Sequence, residues 1–95
     1  MKFEWDPQKA AQNLRKHAVS FEDAVAVFGD PLAGTIRDST HSTSEVRFVT
    51  IGTTSAQRLI VVAHTDRVDR IRIISARPAT RAEKKKYEEG NESKG

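Results

Sequence analysis

At 95 residues the chain is expected to form one domain, residues 1–89, with a polar C-terminal tail over 90–95. The absence of cysteine excludes disulfides and thiolate metal sites and fits a reducing cytosol, and the longest apolar run, Leu59 to Ala63, is far short of the ~20 residues that cross a bilayer. Sixteen Lys and Arg against thirteen Asp and Glu leave a formal charge of +3, which favours polyanion partners through phosphate contacts and counterion release.

Met1 to Asp6 carries no apolar signal core, so a soluble, cytoplasmic chain is expected. Phe3 and Trp5 alternate with Lys2 and Glu4 as in a short edge strand. Asp6 before Pro7 is an N-cap followed by proline at the first helical position, opening a helix to about His17 with Ala10, Ala11 and Leu14 at helical spacing. Ser20 with Asp23 starts a second helix, with Phe21, Ala24, Val25 and Phe28 as its apolar stripe. Gly29-Asp30-Pro31 ends it.

Strands are predicted next. Thr35 to Arg37 is a short one, 38–44 a polar loop, and Glu45 to Thr53 a second. Gln57 to Thr65 is a third, with a continuous apolar centre that implies burial on both faces. A turn over Asp66 to Asp69 leads to the fourth, Arg70 to Ala76. Thr80 with Glu83 is a capping box for a last helix, Arg81 to about Glu89. The order βααββββα with short turns between successive strands predicts an α+β fold: an antiparallel meander covered by two N-terminal helices, with a third at the C-terminus.

Several runs resemble the BrnT toxin family. They are Phe3-Glu4-Trp5-Asp6-Pro7, Lys9, Asn13, Lys16-His17, Val19-Ser20-Phe21 and Ala24, then Phe28, Asp30-Pro31, His41, Glu45 and Arg47. The segment Arg72 to Arg77, with Ala79, Thr80, Glu83 and Tyr87, is the most distinctive. The resemblance spans about residues 3 to 87. It departs at Ala18, where the family usually has glycine, and near His64, where it is often aromatic. It implies a RelE-like fold and a metal-independent ribonuclease that inhibits translation. A BrnA-type antitoxin would neutralise it in a hetero-oligomer, with operator DNA contacted mainly by that partner.

Metal-free RNA cleavage needs a base for the 2′-hydroxyl proton, cations for the charge growing on phosphate, and an acid for the leaving oxygen. DNA lacks that hydroxyl and is spared. Arg58, Arg67, Arg70, Arg72, Arg77 and Arg81 crowd into 24 residues, and arginine suits bidentate phosphate contact. Glu45 and Arg47, two apart on the expected strand, share a face and read as base and phosphate clamp, or as a plain ion pair. Arg72 and Arg77 are candidates for the phosphate, or for salt bridges to Glu45 or the last helix. By strand alternation they fall on opposite faces, which would put arginine on both sides of the sheet.

His41, titrating near neutrality, is a candidate acid or base. Arg67, Arg70 and Lys84 are candidate RNA phosphate contacts. His17 reads as a helix-end cation, and His64 as a satisfied, part-buried side chain. His17, His41 and His64 have no metal-ligand spacing, and no cofactor is expected. The rival to an enzyme is a basic binding module that acts through complex formation and promoter control.

Overall fold

The structure, a computed structural model, describes residues 1–38 and 45–92, with side chains through Gly90. Its elements are β1 (Lys2–Glu4), α1 (Pro7–His17), α2 (Phe21–Val27), β2 (Gly34–Asp38), β3 (Arg47–Thr53), β4 (Leu59–Asp66), β5 (Arg70–Pro78) and α3 (Arg81–Glu92). The predicted order is the observed one.

Five strands form one sheet in the order β1-β5-β4-β3-β2. β2 to β5 are the expected antiparallel meander. β1 makes the sheet mixed, because it runs parallel to β5, pairing Lys2 with Arg70 and Glu4 with Arg72. The two helices that follow β1 carry the chain across one face of the sheet to β2 at the opposite edge.

The predicted caps set the helix starts. Asp6 Oδ1 accepts the Gln8 N–H at 2.8 Å, and Ser20 Oγ accepts the Asp23 N–H at 3.0 Å. At α3 the Thr80 hydroxyl accepts the Glu83 N–H while Glu83 accepts the Thr80 N–H, a reciprocal box. α1 ends on Ala18 in the left-handed region, φ 57° and ψ 33°, a conformation that costs any residue with a Cβ. Its N–H bonds Leu14 O, and Arg58 donates to its carbonyl at 3.0 Å. Ala18→Gly is therefore expected to raise stability by about 1 kcal/mol, seen as a Tm increase of roughly 4–8 °C.

The core lies between the sheet and α1 with α2. Val19, Phe21, Ala24, Val27, Ile60, Val62, Ile73 and Ala76 form it, with Phe3, Trp5 and Phe28 packed at its margin. On α1 the buried position is Asn13, while Leu14, expected in the apolar stripe, is 52% exposed. Asn13 Nδ2 donates to Val19 O at 2.9 Å and Ala76 O at 2.7 Å, and its Oδ1 accepts the Ala76 N–H at 3.0 Å. One side chain thus satisfies backbone groups of β5 and of the link between the two helices.

β5 breaks step with β4 between Ala63 and His64. Ala63 faces Ser75 but His64 faces Ile73, leaving Ile74 as an extra residue. Such a bulge flips the side-chain phase beyond it. Ile71 and Ile73 point to the core, and so does Ala76. Arg77, opposite Val61, therefore shares a face with Arg72, opposite Thr65, which corrects the expectation of arginines on both faces.

α3 lies on that second face and is pinned by two carboxylates. Glu83 takes both Arg77 Nη atoms at 2.8 and 2.9 Å. Asp30 Oδ2 accepts from the Tyr87 hydroxyl and from Thr53 N–H and Oγ1 at 2.7, 2.8 and 2.7 Å. For Asp30, burial pushes its carboxyl up, but the bonds from Thr53, Leu32 and Tyr87 outweigh it and bring it to about 2 from 3.8. Glu83 falls from 4.5 to about 2, through Arg77 first.

Folded values below unfolded ones mean the stabilisation is complete above the unfolded pKa and lost as pH falls through the folded pKa. Docking of α3 should thus be full above pH 4.5 and released as the pH approaches 2. Tyr87 ring resonances followed by NMR from pH 6 to pH 2 check this. Constant shifts across that window would contradict it.

Candidate functional site

Tight turning of β4 into β5 assembles the arginines. Arg67 and Arg70 close the hairpin through backbone bonds of 2.8 and 3.4 Å, with Val68 and Asp69 at its tip. Arg72 lies two residues on from Arg70, on the same face. Parallel pairing of β1 then sets Glu4 beside Arg72.

Glu4 is the centre of the resulting cluster. Its Oε2 accepts from Arg72 Nη1 at 2.8 Å and its Oε1 from Arg70 Nη1 at 3.0 Å. Arg67 Nε stands 3.7 Å from Glu4 Oε2, and its Nη2 donates to Glu45 Oε1 at 3.2 Å. Arg70 also donates to Asp69 at 3.1 Å. The Arg72 and Arg70 guanidiniums hold the Glu4 carboxyl below the usual carboxylate range. Asp69, then Glu4, push Arg70 up. A carboxylate so stabilised is a poor proton acceptor, but it fixes three guanidiniums in one place. Exposed pairs of this kind are worth about 0–1 kcal/mol each, so an incoming anion can displace them cheaply.

The sheet register extends the site. Across the strands one row reads Asp38, Arg47, Thr65, Arg72, Glu4. Arg47 thus stands on the same face as Arg72, separated from it by one strand.

Among the described residues no group of His, Asp and Glu is arranged to hold a metal ion. Among the same residues no helix is long and apolar enough to cross a membrane. A cleft of about 500 Å³ opens between α3 and β2 to β4, lined by Leu32, Ile36, Val49, Ile51, Val61 and Tyr87 among others. It is mostly apolar, with Glu83 and Lys86 also in its lining, and none of the predicted site residues lines it.

A family model described as "Ribonuclease toxin, BrnT, of type II toxin-antitoxin system" matches residues 5–83. The chain belongs to the BrnT family of ribonuclease toxins. Membership puts it on the toxin side of a two-protein system. Among solved structures, that of the Brucella abortus ribonuclease toxin, BrnT, matches with a TM-score of 0.65 at 24% identity, covering 85% of this chain and 99% of that one. That likeness carries the fold. No curated protein matches.

Within this BrnT fold the predicted residues divide. Arg67, Arg70, Arg72 and Glu45 come together, with Arg47 in the same cross-sheet row. Glu45 precedes β3 rather than lying in it, and reaches Arg67 instead of flanking Arg47 as a strand neighbour. Arg77 is not part of the cluster. It sits four β4 residues away, roughly 13 Å along the strand, clamped to Glu83 on α3. Lys84 is an exposed residue of α3. His41 lies outside the described residues.

His64 is buried and satisfied, its Nδ1 on Asp66 and Nε2 on the Thr50 hydroxyl, both at 2.8 Å. Burial lowers its pKa, against the pull of Asp66. Glu4 was not singled out from the sequence as a site residue. Its period-two placement against Phe3 and Trp5 marks a polar face, but only the register of β1 on β5 reveals which arginines it meets.

Proposed function

We propose that this chain is a metal-independent endoribonuclease whose phosphate site is the cluster of Arg67, Arg70 and Arg72 around Glu4. The observation that carries the reading is the convergence of three arginines, from one hairpin, on one carboxylate. A phosphodiester presents the same pair of charged oxygens to the same forks. Arg47, next in the row, adds a fourth cation.

In this reading RNA phosphate replaces or adjoins Glu4. The guanidiniums then offset charge growing on the phosphate as the 2′-oxygen attacks. Glu4 holds the forks in place and is too stabilised to be the base. Glu45, half exposed at the rim beside Arg67, takes the 2′-hydroxyl proton. His41 has the chemistry to return a proton to the leaving 5′-oxygen. The products are a 2′,3′-cyclic phosphate and a 5′-hydroxyl, and DNA is not cut.

The activity would arrest translation in the cytoplasm until a BrnA-type antitoxin binds, with operator DNA contacted mainly by that partner. Incubating the purified chain with RNA in EDTA tests this. Cleavage with cyclic-phosphate ends is expected. Intact RNA at micromolar protein would leave a basic module that acts only through its complex.

A further inference from the structure

We propose that the Thr65 hydroxyl is a further substrate-binding group, a hydrogen-bond donor to the RNA phosphate set on the sheet between Arg47 and Arg72. This rests on the reading of the arginine cluster as a phosphate site. Thr65 is 4% exposed, and its Oγ1 is the one buried side-chain oxygen or nitrogen among the described residues without a hydrogen-bond partner. A buried hydroxyl left unpaired costs stability, and folded proteins avoid it.

This protein avoids it elsewhere. The buried Thr50 hydroxyl contacts both Thr35 Oγ1 and His64 Nε2, at 2.7 and 2.8 Å, and that of Thr54 accepts the Arg58 N–H. The exception falls in the middle of the row Asp38, Arg47, Thr65, Arg72, Glu4.

Strand alternation puts Thr65 on the arginine face, since its neighbour His64 points to the core. Directly opposed residues have Cβ atoms about 4.5–5.5 Å apart, so one phosphate can meet the hydroxyl and both flanking guanidiniums. In the free protein Arg72 is drawn outward to Glu4, at 2.8 Å. A phosphate above Thr65 draws it inward and supplies the acceptor that the hydroxyl lacks. The flanking side chains are long and part-exposed, so the cover they give Thr65 is reversible.

Binding of a 2′-O-methyl RNA oligonucleotide, which the chain cannot cleave, tests this by fluorescence anisotropy on the wild type, Thr65→Val, Thr65→Ser and Arg72→Ala, with a thermal melt of each. Thr65→Val keeps the shape and removes the donor. It should weaken RNA binding roughly ten- to a hundredfold while leaving the Tm unchanged or higher. Thr65→Ser should bind within about threefold of the wild type.

Wild-type binding by Thr65→Val, or a lowered Tm with binding intact, overturns the role of Thr65. In that case a loss in Arg72→Ala still upholds the arginine site. If Arg72→Ala binds like the wild type, the arginine reading fails, and Thr65 with it.

Discussion

Arg72→Ala is expected to lower the RNA cleavage rate by about two to three orders of magnitude, the effect of removing one fixed donor from a developing oxyanion. Arg72 makes the shortest contact to Glu4 and stands between Thr65 and Glu4 in the cross-sheet row. Its loss leaves Arg67 and Arg70 on the carboxylate but opens the middle of the site. Folding should be little affected, since exposed ion pairs contribute about 0–1 kcal/mol. Arg77→Ala is the instructive contrast. It frees Glu83 and loosens α3, so it should lower the Tm more and the cleavage rate far less. A cleavage assay in EDTA beside a melting curve separates the two. Equal loss of cleavage in both variants, with Tm unchanged, would move the site to the α3 end of the sheet.

The largest effect on stability is expected at Asn13. Asn13→Leu keeps the volume but strands the buried Ala76 N–H and the Val19 and Ala76 carbonyls. Unpaired buried backbone groups cost about 1–3 kcal/mol each, so a loss of roughly 3–5 kcal/mol is expected. That is a large share of the 5–15 kcal/mol typical of a domain, and it corresponds to a Tm drop of roughly 12 °C or more. Chemical denaturation with a melting curve checks it. A loss below about 1 kcal/mol would mean that α1 is held by its apolar contacts alone.

Local signals carried most of the fold. Asp6-Pro7, Ser20 with Asp23, and Thr80 with Glu83 each name a helix start by capping chemistry, and each cap is made as expected. The unbroken apolar run in β4 correctly implied two buried faces, with Val61 and Val62 both shielded. What stayed hidden depends on register. The extra residue at Ile74 leaves no mark in an Ile-Ile-Ser string, yet it decides which way Arg77 points. The parallel seat of β1 is likewise invisible locally, so Glu4 could not be matched to Arg70 and Arg72. Asn13 offered a signal, a polar residue three positions after Ala10, but helical spacing favoured Leu14 as the inward residue. Ala18, read as a departure from glycine, does take the positive φ that glycine would take without strain.

The account turns on where RNA phosphate lands. Arginine Nε–Hε resonances recorded by NMR during titration with a 2′-O-methyl RNA oligonucleotide report that directly. Shifts should concentrate on Arg67, Arg70 and Arg72, with Arg47 moving beside them and Arg77 still on Glu83. Movement of Arg77 and the α3 lysines, with the three hairpin-side arginines unmoved, would contradict it.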